Sequence, residues 1–375
     1  MGGTIRTVLN VANYLVDHGY EVEIVSVLRY RKDPFFFIDP RIRIVVLHNK
    51  IAEKQRPKGM KNWLISKLLK ARSILIHSED EGYYHFSLVT DIKMYQYIKT
   101  IKDGVLISTR PSFNIFCAKY ANKNVIKLGQ EHLNLAIYPP SLQKSIRKNY
   151  PKLNYLATLT DDDTADYQQL FSNSRLKIIK LTNSIPSFES QISSLDNKII
   201  LAAGRLVPQK GFDLLIEAFS LIVEEAQDWK IKIFGSGRDK EFLQDLINEK
   251  HLYNHILLMG PTQEIEKELM NSSIYALSSR FEGFGMVIIE AMQCGVPVVS
   301  FDCPKGPGEI IKHQVDGILV ENGNIEEFSK SLLELIKNRE KREQLSANAI
   351  ENVKRYSITE IGEKWIDLLV QIEKI

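Results

Sequence analysis

From residue 198 onward, short apolar runs alternate with helical segments so regularly that few folds other than a helix-covered parallel sheet can accommodate them. The apolar runs fall at 198–203, 229–234, 255–259, 274–277, 296–300 and 317–320. Helical patterns fall between or after them at 212–224, 241–250, 264–270 and 286–292, and then at 325–337, 339–356 and 358–370. Strands that read as nearly unbroken apolar runs are covered on both faces, which is the habit of parallel sheets, and such sheets bind ligands at their carboxyl edge. The first half carries a second set of strands at 104–109, 125–129, 155–160 and 176–181. At 375 residues the chain is long for one domain and comfortable for two, and Asn183-Ser184-Ile185-Pro186 with the polar run 189–197 marks the boundary.

The chemistry is most visible at 280–295. Gly283 and Gly285 leave room for a ligand to approach the backbone, and 286–292 is an apolar helical run interrupted only by Glu290. A buried carboxylate needs a partner: a protein donor, a pair of neutral hydroxyls, a bound cation, or the amides of a helix start. A second stretch, Gly204-Arg205-Leu206-Val207-Pro208-Gln209-Lys210-Gly211, places two cations around a turn between a strand and a helix. Guanidinium fork, ammonium and helix amino end together suit a diphosphate, although two solvated surface cations would read the same way. His132 follows Gln130-Glu131 at the end of a strand, where it serves either a ligand or a loop hydrogen bond. Gly235 and Gly237 also follow a strand, but the third glycine of a dinucleotide fingerprint is missing.

Taken in order, Glu282, Gly283, Phe284, Gly285, Glu290, Ala291, Met292, Gly295, Pro297 and Val298 resemble the donor-site signature of the retaining GT-B glycosyltransferases of family GT4. In that signature two glutamates separated by seven residues precede Ala-Met-x-x-Gly. The resemblance extends over nearly the whole chain. It implies an α/β GT-B fold, with two Rossmann-like domains facing a cleft: an acceptor-side domain at 1–188, a nucleotide-sugar domain at 189–355, and a last helix at 356–375 that crosses back. It also implies transfer of a sugar from a nucleotide-diphosphate sugar, UDP favoured, to a cell-surface glycan, lipid-linked saccharide or teichoic-acid-like acceptor, with no essential metal. Arg205 and Lys210 would hold the diphosphate, Glu282 the sugar, Glu290 the ribose hydroxyls, and Phe284, Gly285, Met286 and Val287 the rest of the donor. His132 would lie beside the transferring sugar. A GT-B nucleotide-sugar epimerase and a noncatalytic partner of a glycosyltransferase are the alternatives.

The amino-terminal end departs from the family pattern. The chain opens on Met1-Gly2-Gly3-Thr4, runs into a helix at 5–18 and then a strand at 20–28, so the strand that should precede the glycine loop is missing. The expectation is a start assigned too far downstream, against a variant that covers the gap otherwise; Gly3 remains a candidate for donor phosphate. Residues 41–72 carry ten lysines and arginines against Glu53, with Trp63, Leu64, Ile65, Leu68 and Leu69 at helical spacing among Lys61, Lys67 and Lys70. Such a helix suits a protein core with a solvated face, or peripheral contact with an anionic membrane or polymer. A formal net charge of +3 does not point to nucleic acid. Cys117, Cys294 and Cys303 make no paired framework, and neither a leader nor a membrane span is visible. A cytoplasmic protein, peripheral on the inner face of the cell membrane, is expected.

Overall fold

The computed structural model describes residues 3–34, 36–54, 71–186 and 192–374. The chain divides into two compact α/β units, Met1–Ser184 with Ile361–Ile375, and Ile185–Glu360.

The second unit is contiguous and carries the regular alternation. Its strands are β7 (Ile199–Ala203), β8 (Lys230–Phe234), β9 (Ile256–Gly260), β10 (Ile274–Leu277), β11 (Val298–Asp302) and β12 (Ile318–Glu321). They form one sheet in the order β12-β11-β10-β7-β8-β9, every pair parallel. The chain winds from β7 outward through β8 and β9, then returns to β10 and winds the other way. The reversal therefore lies between β7 and β10, and the loops leaving these two strands sit side by side at the carboxyl edge. This is the crevice in which open α/β sheets take their ligands. Helices Phe212–Ser220 and Ile325–Lys337 cover the sheet with Leu215, Ile216, Phe219, Phe328, Leu332 and Leu335, all buried against Ile200, Ile231 and Phe301. The expected helix at 212–224 ends at Ser220 and resumes as a short 3-10 turn at Val223–Glu225, and the strand expected at 296–300 begins two residues later, at Val298.

The first unit holds two separate parallel sheets. One pairs β1 (Glu23–Arg29) with β2 (Arg43–Asn49); the other runs β3 (Val105–Ser108), β4 (Ile126–Gln130), β5 (Tyr155–Thr158), β6 (Lys177–Lys180). Among the described residues no strand joins β1 to β3, so the amino-terminal sheet is reduced. One face of the larger sheet packs Leu128, Tyr155 and Ala157 against Val11 and Leu15 of helix Gly3–Asp17 and against Ile361, Trp365, Leu368 and Leu369 of helix Ile358–Glu373. The opposite face buries Leu156 with Leu142, Ile146, Tyr150, Tyr167 and Phe171.

Residues 41–49 were grouped with the basic stretch in the sequence reading, but 43–49 form strand β2. The β-branched run Ile44-Val45-Val46 sets the local structure there, and the flanking cations are held locally. Arg41 is bonded to Asp17 and Asp39, the latter at 2.7 Å, and Arg43 reaches Glu23 at 2.8 Å. The amphipathic segment with Trp63, Lys61, Lys67 and Lys70 lies outside the described residues. No helix among the described residues is long and apolar enough to cross a membrane.

Candidate active site

In the second unit, chain reversal brings together side chains 72 residues apart. β7 ends at Ala203, and the loop that follows carries Arg205 and closes in a 3-10 turn, Pro208–Lys210. Gly211 then takes φ +60°, and a Cβ there would lie 2.0 Å from the Ser278 carbonyl oxygen, so glycine lets this loop press against the one leaving β10. Between the two loops the Lys210 Nζ meets Glu282 Oε1 at 2.6 Å. Ser279 Oγ donates to the same carboxylate oxygen at 2.6 Å, and Ser278 Oγ donates to the Lys210 carbonyl at 3.1 Å. The side chains of Lys210 and Glu282 are 16% and 8% exposed, so each charge depends on the other for most of its compensation.

A second clamp fixes the loop that follows β7. The Arg280 guanidinium donates to both Asp213 oxygens, at 2.9 and 2.6 Å, and to the Pro208 carbonyl at 2.7 Å. The Arg280 backbone N–H donates to the Gln209 carbonyl at 2.8 Å, and Gln209 Nε2 donates to the Phe281 carbonyl at 3.1 Å. Burial works to raise the Asp213 carboxyl, but the hydrogen bonds and charge of Arg280 hold it below the usual carboxylate range. Arg205 reaches Gln209 Oε1 at 3.4 Å and stays close to solvent. Beside this loop, Gly237 admits close packing, since a Cβ would fall 2.1 Å from the Leu206 carbonyl.

The carboxylate sequence continues into a helix. Gly285, at φ +97°, starts helix Met286–Gln293; Phe284 behind it is buried against Tyr356, their rings 5.5 Å apart in an edge-on arrangement. Met286 and Val287 form its partly exposed first turn, the end of a helix at which anions are favoured. Glu290 is one turn further in and only 6% exposed. Burial pushes the nearby Cys303 thiol up to about 12, so no thiolate competes as a nucleophile at neutral pH. Among the described residues no group of three or more His, Cys, Asp or Glu side chains could hold a metal ion.

The first unit carries the remaining candidates. His132 follows the carboxyl end of β4; both ring nitrogens are buried, and neither has a hydrogen-bond partner among the described residues. Burial lowers its pKa to about 4, leaving at neutral pH an uncharged ring with one donor and one acceptor. Gly3 heads helix Gly3–Asp17 on the exposed surface. The structure thus gathers Arg205, Lys210, Glu282, Phe284, Gly285, Met286, Val287 and Glu290 at one sheet edge of the second unit, and places His132 and Gly3 in the first. Sequence reading missed Ser279, Asp213 and the clamping role of Arg280. The only signal available was their position at a strand end and in a helix's first turn.

This architecture is matched in known proteins. Residues 185–352 match the family described as glycosyl transferases group 1. Over 99% of its length the chain is 29% identical to an exopolysaccharide phosphotransferase of Streptomyces coelicolor, of which it spans 40%. It is 29% identical to an uncharacterized glycosyltransferase of Haemophilus influenzae, covering 98% of this chain and 96% of that one. A poly(ribitol-phosphate) alpha-N-acetylglucosaminyltransferase of Staphylococcus aureus is 30% identical over 72% of this chain and 56% of its own length. In fold, the chain superposes with a TM-score of 0.79 on a Staphylococcus aureus TarM mutant solved with fondaparinux, alpha-GlcNAc-glycerol and UDP, at 22% identity over 98% of this chain and 97% of that one. Sucrose-phosphate synthase from Thermosynechococcus elongatus gives 0.76 at 15% identity, covering 100% and 94%. Residues 185–352 are thus similar to the group 1, or GT4, glycosyl transferases, and the chain as a whole has the GT-B fold of its solved neighbours.

Proposed function

We propose that this protein transfers a sugar, with retention of anomeric configuration, from a nucleotide-diphosphate sugar to a polysaccharide or polyol-phosphate polymer of the cell surface. The observation that carries this reading is the meeting of Lys210 and Glu282 at the switch point of the second sheet, with Arg205 on the same loop. Diphosphate is the leaving group of such a transfer, and its growing negative charge is stabilised by fixed cations and helix amides. Arg205 and Lys210 supply the cations and the first turn of Met286–Gln293 supplies the amides. Glu282, released from Lys210 by the incoming phosphate, would then accept hydrogen bonds from the sugar. Glu290, one turn further along, would take the ribose diol, whose two hydroxyls are neutral donors suited to a buried carboxylate. The neutral His132 ring would contact the sugar as donor and acceptor.

UDP, present in the TarM structure, is favoured as the nucleotide, and an anionic wall polymer or exopolysaccharide as the acceptor, in keeping with the names of the Staphylococcus and Streptomyces relatives. The excess of lysine and arginine at 41–72 supports an acceptor or membrane of negative charge, although Arg41 and Arg43 are already engaged by acids. The deciding experiment is a screen of UDP- and GDP-sugars scored separately for hydrolysis and for transfer to lipid-linked sugars, polyol-phosphate polymers and exopolysaccharide fragments. Transfer with retained configuration supports the reading. An epimerised free sugar formed without acceptor, or donor binding without turnover on any acceptor, overturns it.

A further inference from the structure

Beside His132 lies a buried carboxylate that the proposed chemistry does not use. Glu131 is 3% exposed, and three neutral groups donate to it. Tyr138 Oη reaches Oε2 at 2.6 Å, Tyr150 Oη bonds Oε1, and Asn114 Nδ2 reaches Oε1 at 3.0 Å. The donors come from three separate elements. Asn114 sits on helix Pro111–Tyr120, Tyr138 ends the short turn Leu135–Ile137, and Tyr150 opens the turn Tyr150–Lys152. Asn114 is itself fixed, accepting from Ser108 Oγ at 2.7 Å and donating to the Gln130 carbonyl at 3.1 Å. Gly129 makes room for it, because a Cβ there would stand 3.0 Å from Asn114 Cγ. The Glu131 backbone N–H donates to the Ala157 carbonyl at 2.9 Å, so residue 131 is the last one tied to the sheet before His132.

We propose that Glu131 is a positioning residue for transfer: its ionised carboxylate, gripped by Tyr138, Tyr150 and Asn114, fixes the end of β4 so that the His132 ring is held in one orientation toward the sugar. The inference rests on the reading of His132 given above. Among the described residues no cation pairs with the carboxylate. The like charge that acts on it is Asp80, whose Oδ2 accepts from the Ser112 N–H at 2.9 Å and whose Oδ1 stands 3.7 Å from Arg110 Nε. Tyr167, on helix Asp161–Leu170, stacks on Tyr150 at 6.4 Å, and Asp163 and Asp166 lie on the same helix. Burial, opposed by the bonds from Tyr138, Tyr150 and Asn114 and assisted by Asp80, raises the Glu131 carboxyl to about 7. When it takes up a proton, one of the donors loses its acceptor and the grip on β4 loosens.

This geometry separates positioning from simple structural support. The folded pKa lies above the ordinary value of 4.5, so between about 4.5 and 7 the native state binds more protons than the unfolded chain. The stability contributed by this group is therefore full at low pH and declines as pH rises through that window. Glu131→Gln cannot ionise, and its amide still accepts from Tyr150 and Asn114. At pH 8 the variant should melt at or above the wild-type temperature, while kcat falls about tenfold and the donor KM changes less than about twofold. Wild-type kcat should climb from pH 5.5 to 8 with a midpoint near 7; that limb should be flat in Glu131→Gln. In Tyr138→Phe, which removes one donor to the ionised form, the limb should move to higher pH. His132→Ala, measured in parallel, tests the underlying reading. If His132→Ala loses transfer but Glu131→Gln keeps wild-type kcat and the acid limb, the positioning role is wrong. If Glu131→Gln loses kcat and melts lower at pH 8, Glu131 is a structural group only. If His132→Ala transfers like wild type, the reading of His132 fails and the inference falls with it.

Discussion

Replacing Glu282 by glutamine should make free nucleoside diphosphate bind more tightly while transfer slows. In the structure the Lys210 ammonium is bound to Glu282 at 2.6 Å, and Ser279 adds a second bond to the same oxygen. A diphosphate that recruits Lys210 must therefore compete with a carboxylate already in place. Two charges at about 4 Å in a surroundings of effective dielectric near 20 attract by roughly 4 kcal/mol, and desolvation of this largely buried pair takes back much of that. A net coupling of about 1.5–3 kcal/mol is expected, the range of hydrogen bonds to charged groups. Glutamine keeps the shape and the bond from Ser279 but removes the competing charge. Free UDP should then bind about three- to tenfold more tightly, equivalent to roughly 0.7–1.4 kcal/mol. Transfer should fall at least about tenfold, because the amide accepts sugar hydroxyls more weakly than a carboxylate does. Isothermal calorimetry with UDP on wild type, Glu282→Gln, Lys210→Met and the double variant closes the cycle. UDP affinity that falls in Glu282→Gln, or a cycle additive to within about 0.5 kcal/mol, would refute the idea that the two side chains compete.

Arg205→Ala and Lys210→Ala should each lower kcat/KM at least about tenfold without unfolding, and unchanged kinetics in both would remove them from the donor site. Gly211→Ala, which places a methyl 2.0 Å from the Ser278 carbonyl oxygen at a positive φ, should displace the loop that carries Arg205 and Lys210 and, on the proposed reading, raise the donor KM several-fold, read from initial rates. His132, whose folded pKa of about 4 lies below the ordinary 6.5, contributes stability that is present above about 6.5 and is lost as pH falls toward 4, up to about 3 kcal/mol. Urea titrations of wild type and His132→Phe across that window should diverge, and parallel curves would count against a buried neutral ring. Neutralising Lys61, Lys67 and Lys70 should reduce sedimentation with anionic vesicles, as should added salt; a wild-type protein that never sediments would end the membrane version of the acceptor reading.

What the sequence made legible was local. A strand followed by glycine and a helix can be read from periodicity, which is why helix Ile325–Lys337 and strand β10 fall where the apolar pattern puts them. The spacing of Glu282 and Glu290 was legible for the same reason, since both belong to one loop and the helix it enters. The partnership of Lys210 and Glu282 was not legible, because it depends on β7 and β10 becoming neighbours at the point where the winding reverses. Strand β2 was hidden by the charges around it: a count of lysines and arginines says nothing about backbone when the residues between them are β-branched. The bonds around Glu131 were invisible because Asn114, Tyr138 and Tyr150 are ordinary residues on separate elements until the sheet brings them together.

The helix Ile358–Glu373 buries Trp365, Leu368 and Leu369 against Leu128 and Tyr155, in the unit whose other residues end at Ser184. During synthesis the second unit, being contiguous, can finish its core as soon as it has emerged. The first unit cannot, for one face of its larger sheet waits for residues made after the second unit. Until then Val11, Leu15 and Leu128 border an apolar surface that is filled only when helix Ile358–Glu373 has been made, so the first unit closes after the second. Removing the chain from residue 358 onward should leave the second unit folded and the first one aggregating.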